Sequence, residues 1–470
     1  MDEPVLPPFT ESDAAFCSVL DAANPTPIEI ACLTEQASLA GDGLLIMLVK
    51  AVILLVFLLT SVLFAVWFER RVIARLQERV GPNVHGPFGL LQSVADAMKL
   101  LFKEDITVRA ADKVMYIAAP MISVLAAFLI FAVIPFGPAT EIPLPWMDDV
   151  VTPLQLTDVP VAVLYVLACA AVGVYGIVLG GWASGSTYPL MGAVRSTAQV
   201  ISYELAMGLS LVTVFMISRS MSMADIVDAQ QGRWLLVPLA PAFVLYVISL
   251  VGETNRLPFD LPEAEGELVA GFMTEYSSMK FAWFFLAEYM NMINVSAVAA
   301  TLFMGGWRAP WHESWAGYEM LNSGVFPPLW LILKIWLLMF VFVWIRGSLL
   351  RFRYDQFMKF GWKVLIPFGL AWVVFYGVAM VLLPAFGRTT VIFEWAAPVI
   401  AAIMTWVVFS TVVERKRERA EADKPEPVTG EIDPFAGGFP VPPKPGQTLP
   451  PSPRSGRTVE SKATKKGGSK

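Results

Sequence analysis

The sequence predicts an all-α polytopic membrane helix bundle. Apolar runs long enough to cross a bilayer recur along most of its length, charge is scarce, and the basic charge gathers between alternate runs. Of 470 residues, 56% are hydrophobic and 16% charged, too little polar surface to coat a soluble globule. A crossing takes about 20 mainly apolar residues. Nine such runs stand between Pro, Gly and charged residues, at approximately 44–67, 114–134, 161–182, 198–217, 234–251, 281–304, 329–345, 364–383 and 391–413.

Alternating these runs across the membrane places segments 69–113, 183–197, 252–280, 346–363 and the C-terminal tail on one face. That face holds twenty Lys and Arg near the spans, against four on the other (Arg219, Arg233, Arg308 and Arg388). The positive-inside rule then puts the basic face and the C-terminus in the cytoplasm and the N-terminus outside. Three regions follow: an acidic N-terminal extension over 1–43, a transmembrane domain over 44–413, and a Pro-rich basic tail over 414–470 read as disordered. The first forty residues lack Lys and Arg, unlike a secretory signal. Cys17 and Cys32 lie there, readable either as a disulfide in an oxidising compartment or as free thiols. Between the first two spans, Leu91, Val94, Ala95, Met98 and Phe102 share one helical face and Gln92, Asp96, Lys99 and Lys103 the other. Such a helix lies in the membrane interface. It reads either as a doorway for an amphipathic ligand or as a surface cover for neighbouring spans.

Composition also bounds the chemistry. A net charge of −6 without a basic stripe gives no support to a nucleic-acid partner. Cys17, Cys32, Cys169, His85 and His312 are too dispersed to assemble a metal or haem site, so no redox centre is expected on this chain.

Intramembrane charges cost roughly 2.5 to 3.5 kcal/mol each on insertion scales and are functional candidates by default. Lys50 and Glu394 lie near span ends, where snorkelling accounts for them. Glu204 and Glu288 lie deeper, and Glu288 leads a polar stripe with Asn291 and Asn294. Lys334 is a candidate cationic partner for such a carboxylate, and a structural ion pair is the alternative reading. The loop after the fifth span carries Glu253, Asp260, Glu263, Glu265, Glu267 and Glu275 beside Arg256, interleaved with Phe259, Leu261, Leu268, Val269 and Phe272. A solvated acidic face would explain the charge. The apolar residues instead predict a loop folded back into protein, where crowded carboxylates hold protons near neutrality.

These residues fall into an ordered set of motifs. Glu69-Arg70-Arg71 leaves span one, and Gly81-Pro82-Asn83, Gly86-Pro87 and Ala95-Asp96-Ala97-Met98-Lys99 follow. Then come Gly181-Trp182-Ala183-Ser184, Arg195 with Ser202-Tyr203-Glu204, the Glu253–Glu267 loop, Ala287-Glu288-Tyr289 and Arg353-Tyr354-Asp355-Gln356. In order and spacing the chain resembles the family of H subunits of NADH-quinone oxidoreductase, respiratory complex I, over about residues 44–383. The resemblance implies a membrane subunit of a proton-translocating enzyme, in the bacterial cytoplasmic membrane. It implies a quinone channel, for ubiquinone or menaquinone, framed by span one, the interfacial helix and span six. Glu69, Arg70, Arg75 and Asp96 would line or support it, with Arg256, Phe259 and Asp260 in the adjoining loop. Glu204, Glu253, Glu263, Glu265, Glu267, Glu275 and Glu288 would form an acidic relay toward the pumping subunits. Implied partners are the peripheral-arm quinone-reducing subunits, which with the rest of that arm hold iron–sulfur clusters and FMN, and small membrane-arm subunits. A membrane subunit of a related membrane-bound hydrogenase and an ion-coupled secondary transporter are the alternatives.

The charge asymmetry predicts that a cysteine at Ser186 or Ser348 reacts with impermeant thiol reagents only from the cytoplasmic side; labelling from outside intact cells would reverse the topology.

Overall fold

The computed structural model describes residues 44–142, 150–231, 233–262, 268–310, 318–322 and 324–385. All of these lie in one compact unit. The ninth predicted span, Glu394, the N-terminal extension and the tail lie outside the described residues.

Helix α1 (Leu44–Leu76) runs 33 residues without an internal Gly or Pro to interrupt its backbone hydrogen bonds. The interfacial helix α2 (Gln92–Phe102) packs against it, and α3 (Lys113–Ile130) follows. A short antiparallel hairpin, β1 (Ala139–Ile142) with β2 (Val150–Pro153), precedes α4 (Ala162–Ala183). Next come α5 (Thr187–Ser218), the short α6 (Met223–Asp228), α7 (Ala240–Glu253) and α8 (Ser278–Phe303). The one-turn α9 (Tyr318–Leu321) leads to α10 (Phe326–Ser348), and α11 (Tyr354–Phe360) runs through a π-helical turn, Gly361–Leu365, into α12 (Ile366–Ala385).

Among the described residues, six helices are long and apolar enough to cross a membrane: α1, α3, α4, α5, α10 and the continuous α11–α12 rod. The count of nine spans is therefore not reproduced. Helix α7 has 14 residues, about 21 Å at 1.5 Å per residue, against a hydrocarbon core of about 30 Å. Helix α8 is long enough, but Glu288, Asn291 and Asn294 dilute its apolar surface. That dilution goes with burial: from Met292 to Phe303 every residue of α8 is buried. It is the central post of the core, meeting α1, α2, α3, α7 and α10, and Asn294 donates to the Ala127 carbonyl of α3 at 2.8 Å.

Two cations singled out from sequence find unexpected partners. Among the described residues Lys334 meets no carboxylate. Its ammonium donates to the carbonyls of Met304 (2.6 Å), Gly306 (2.8 Å) and Arg308 (2.6 Å) and lies 4.5 Å from the Trp234 ring. These carbonyls follow the last turn of α8, where helical partners run out and the dipole is negative. Lys50 reaches the hairpin, donating to Thr152 Oγ1 (2.5 Å) and the Pro153 carbonyl (3.0 Å).

Helices α3 and α4 approach closely because α4 presents glycine. A Cβ at Gly176 would lie 2.0 Å from Ser123 Oγ and 2.8 Å from the Ala119 carbonyl, whereas one at Gly173 would make ordinary contact with Ala126 at 3.7 Å. Gly176→Ala is therefore expected to cost about 1 to 3 kcal/mol through overpacking and Gly173→Ala less than about 1. Thermal unfolding of the purified complexes checks the order.

Candidate functional site

The last turns of α1, the start of α8 and the end of α10 enclose an open chamber of about 780 Å³. Its apolar wall includes Ile73, Phe281 and Phe285. Its charged wall is built from Glu69, Arg70, Arg256, Glu288, Tyr289 and Arg346. Glu69 is only 4% exposed and Arg256 7%, so both charges need partners within the protein. Tyr289 Oη donates to Glu69 Oε2 at 2.6 Å, and Arg346 donates to Glu69 Oε1. Arg256 Nη1 lies 3.7 Å from that same oxygen and Nε 2.7 Å from Glu288 Oε1. The Arg256 guanidinium also covers the Tyr289 ring at 4.3 Å. Two carboxylates, two guanidiniums and a phenol thus form one compensated cluster. Such a cluster presents fixed donors and acceptors to a ligand at little reorganisation cost.

Glu288 borders a second, smaller cavity of about 60 Å³, lined also by Ser123, Glu253, Asn255 and Asn291. Glu253 in turn borders a third of about 20 Å³ with Tyr246 and Asn294. From chamber to core, Glu288 and Glu253 therefore stand at successive partitions. Glu204 lies within electrostatic reach of Glu253 but lines none of these spaces.

The sequence-predicted residues thus separate into groups. Glu69, Arg70, Arg256 and Glu288 meet at the chamber. Asp96 stands behind it, accepting from Arg70 and, at 3.2 Å, from Gln92. Arg75 is exposed on the last turn of α1, away from the chamber lining. Phe259 is buried among Tyr203, Phe352 and Phe357, at centroid distances of 5.5, 5.4 and 4.9 Å. Asp260 meets Arg351, which bonds to its carbonyl and lies 3.5 Å from its carboxylate. Glu275 lends its carbonyl to Tyr116 at 2.6 Å and faces none of the three spaces. Glu263, Glu265 and Glu267 lie outside the described residues.

Sequence reasoning missed Arg346 and Tyr289 as a hydrogen-bonding group. Arg346 was legible only as part of the basic face, and its pairing with Glu69 spans 277 residues. No local pattern marks the pairing, because Glu69 is followed directly by Arg70 and Arg71.

Fold and site together define a polytopic membrane protein with a charged open chamber and two smaller cavities, set apart from it and from each other at Glu288 and Glu253. The NADH dehydrogenase family model matches residues 49–377. A protein of Streptomyces avermitilis, named as the H subunit of NADH-quinone oxidoreductase, is 52% identical over 423 residues, 89% of this chain and 92% of its own. Proteins of the same name from Frankia casuarinae and Frankia alni are 58% and 56% identical. They cover 71% and 72% of this chain and 73% and 74% of their own. The chain belongs to the family of H subunits of NADH-quinone oxidoreductase.

Removing Arg346 leaves Glu69 with Tyr289 and a more distant Arg256. Arg346→Ala is expected to destabilise by roughly 2 kcal/mol. Arg70→Ala, which breaks a largely exposed pair with Asp96, should cost less than about 1 kcal/mol. Equal shifts in thermal unfolding would contradict the burial argument.

Proposed function

We propose that this chain, as a membrane subunit of a proton-translocating NADH-quinone oxidoreductase, admits quinone from the bilayer to the chamber at Glu69, Arg256 and Glu288 and passes the electrostatic consequence of its reduction to Glu253. The observation that carries this reading is Glu288, which pairs with Arg256 on the chamber wall and borders the next cavity inward.

The chain supplies binding, orientation and proton handling, and electrons come from partner subunits. Iron–sulfur clusters and FMN are assigned to those partners, with the peripheral arm docking on the cytoplasmic face and small membrane-arm subunits beside the bundle. Phe281 and Phe285 offer an apolar wall to a quinone ring or tail, and the Arg256–Tyr289 stack offers donors to its oxygens. Helix α2, held to α1 by the Arg70–Asp96 pair, frames the entry from the bilayer. Reduction of a quinone to a quinol takes up two electrons and two protons. The change in local charge shifts the balance between Arg256–Glu288 pairing and Glu288 protonation, and Glu253 and Glu204 follow. Moving a proton against the membrane potential costs about 2.3 kcal/mol per 100 mV. The relay therefore transmits charge stepwise through partitioned cavities, since an open conductive path would dissipate the potential. The remaining loop acids, Glu263, Glu265, Glu267 and Glu275, belong to the same relay in this reading. The setting is the bacterial cytoplasmic membrane, with residues 1–43 outside, 44–413 in the membrane domain and 414–470 in the cytoplasm.

Glu288→Gln and Glu253→Gln keep side-chain shape and remove proton capacity. In membranes with the complex assembled, quinone reduction and proton translocation are expected to fall together, with NADH oxidation by an artificial acceptor at the peripheral arm retained. Unchanged quinone reduction in both variants would refute the relay.

A further inference from the structure

We propose that Gln199 is a positioning residue for Arg256, a single carboxamide that staples both ends of the turn on which the chamber guanidinium is mounted. The proposal rests on the quinone reading of the chamber.

Arg256 lies in no helix. It follows the C-terminus of α7, within the segment 253–258, whose Asn255 has a left-handed backbone (φ 53°). A turn of this kind holds its shape only when its ends are fixed. Gln199, on the buried face of α5, donates through Nε2 to the Gly252 carbonyl at 2.6 Å and to the Phe259 carbonyl at 2.8 Å. These carbonyls bracket the segment. Gln199 is 0% exposed, so neither bond is weakened by solvent. Gly252 is also pressed against Tyr203, one turn along α5, where an added Cβ would lie 2.5 Å from the ring.

The residue type fits the task. Two carbonyls need two donors from one nitrogen, and a neutral amide supplies both without adding charge beside Glu253 and Arg256. A carboxylate would face both acceptors with no proton, and Asn would fall a methylene short. The Phe259 ring in its aromatic socket, and the Phe352 amide donating to Pro258 O at 3.1 Å, secure the far end from the opposite side. With both ends held, Arg256 reaches Glu69 and Glu288 without having to search for them. Loss of the staple unlinks Gly252 from Phe259, so the turn between them loosens and the guanidinium shifts while the helices remain.

The test uses assembled complex in membranes and four variants: Gln199→Met, Gln199→Glu, Arg256→Lys, and Arg256→Lys with Gln199→Met. Arg256→Lys keeps the positive charge and removes the guanidinium fork. Each Gln199 variant is expected to raise the quinone KM about tenfold, with artificial-acceptor activity and complex yield unchanged. If Gln199 acts through Arg256, the double variant shows little more than the Arg256→Lys effect alone. Should Gln199→Met fail to assemble, Gln199→His, which retains one N–H donor, replaces it in the same comparison. Wild-type KM in the Gln199 variants, or effects that multiply in full, would overturn the proposal while leaving the chamber reading intact. A wild-type quinone KM in Arg256→Lys would instead bring down the chamber reading, and this inference with it.

Discussion

The architecture around the chamber is organised by one requirement: the Arg256 cation, only 7% exposed, must be compensated by protein groups. Removing a guanidinium from water costs several kcal/mol unless charge and hydrogen bonds replace the lost hydration. Here the replacement is distributed. Glu288 meets Nε, Glu69 faces Nη1, and Tyr289 supplies a ring face. Each partner carries its own demand, so Glu69 also takes Arg346 and the Tyr289 hydroxyl. The outcome ties α1, α8 and α10 to a non-helical segment after α7. Deleting one charge disturbs several elements because the compensation is shared.

That requirement also explains why α8 is polar. A span facing lipid would gain nothing from Glu288, Asn291 and Asn294. A central post can use each of them: Glu288 at the chamber, Asn291 at the next cavity, and Asn294 to bond α3. The cavities inward of the chamber are small, about 60 and 20 Å³, which suits stepwise exchange between fixed groups better than free passage of a ligand. The chamber, at about 780 Å³, is in the range of small-molecule sites.

How much was legible in the sequence depended on whether a feature is local. The apolar runs of α1, α3 and α4 announce themselves by length, and α2 by its two-faced pattern. Helix α5 begins at Thr187, eleven residues before the predicted span, because Pro189 is tolerated in a first turn and Arg195 stands on helix outside the apolar run. The run from 234 became a turn and then a short helix, with Pro241 in its first turn. In the site, Glu288 was visible as an intramembrane charge and Arg256 as the cation of an acidic loop, whereas Glu69 and Arg70 were singled out through the family resemblance carried by the ordered motifs. Arg346 and Gln199 were not, since neither is unusual where it stands; their roles come from contacts with residues far away in the chain. Lys334 shows the converse: its charge was conspicuous, but its partners are backbone carbonyls that no residue pattern encodes.

The central claim, that the space bounded by Glu69, Arg256 and Glu288 receives quinone, is tested most directly by photoaffinity labelling. An azido-quinone is irradiated in membranes containing the assembled complex, with and without excess native quinone. The account predicts adducts on the 69–82 and 281–289 segments that native quinone suppresses. Adducts confined to other segments, or adducts here that native quinone fails to suppress, would contradict it.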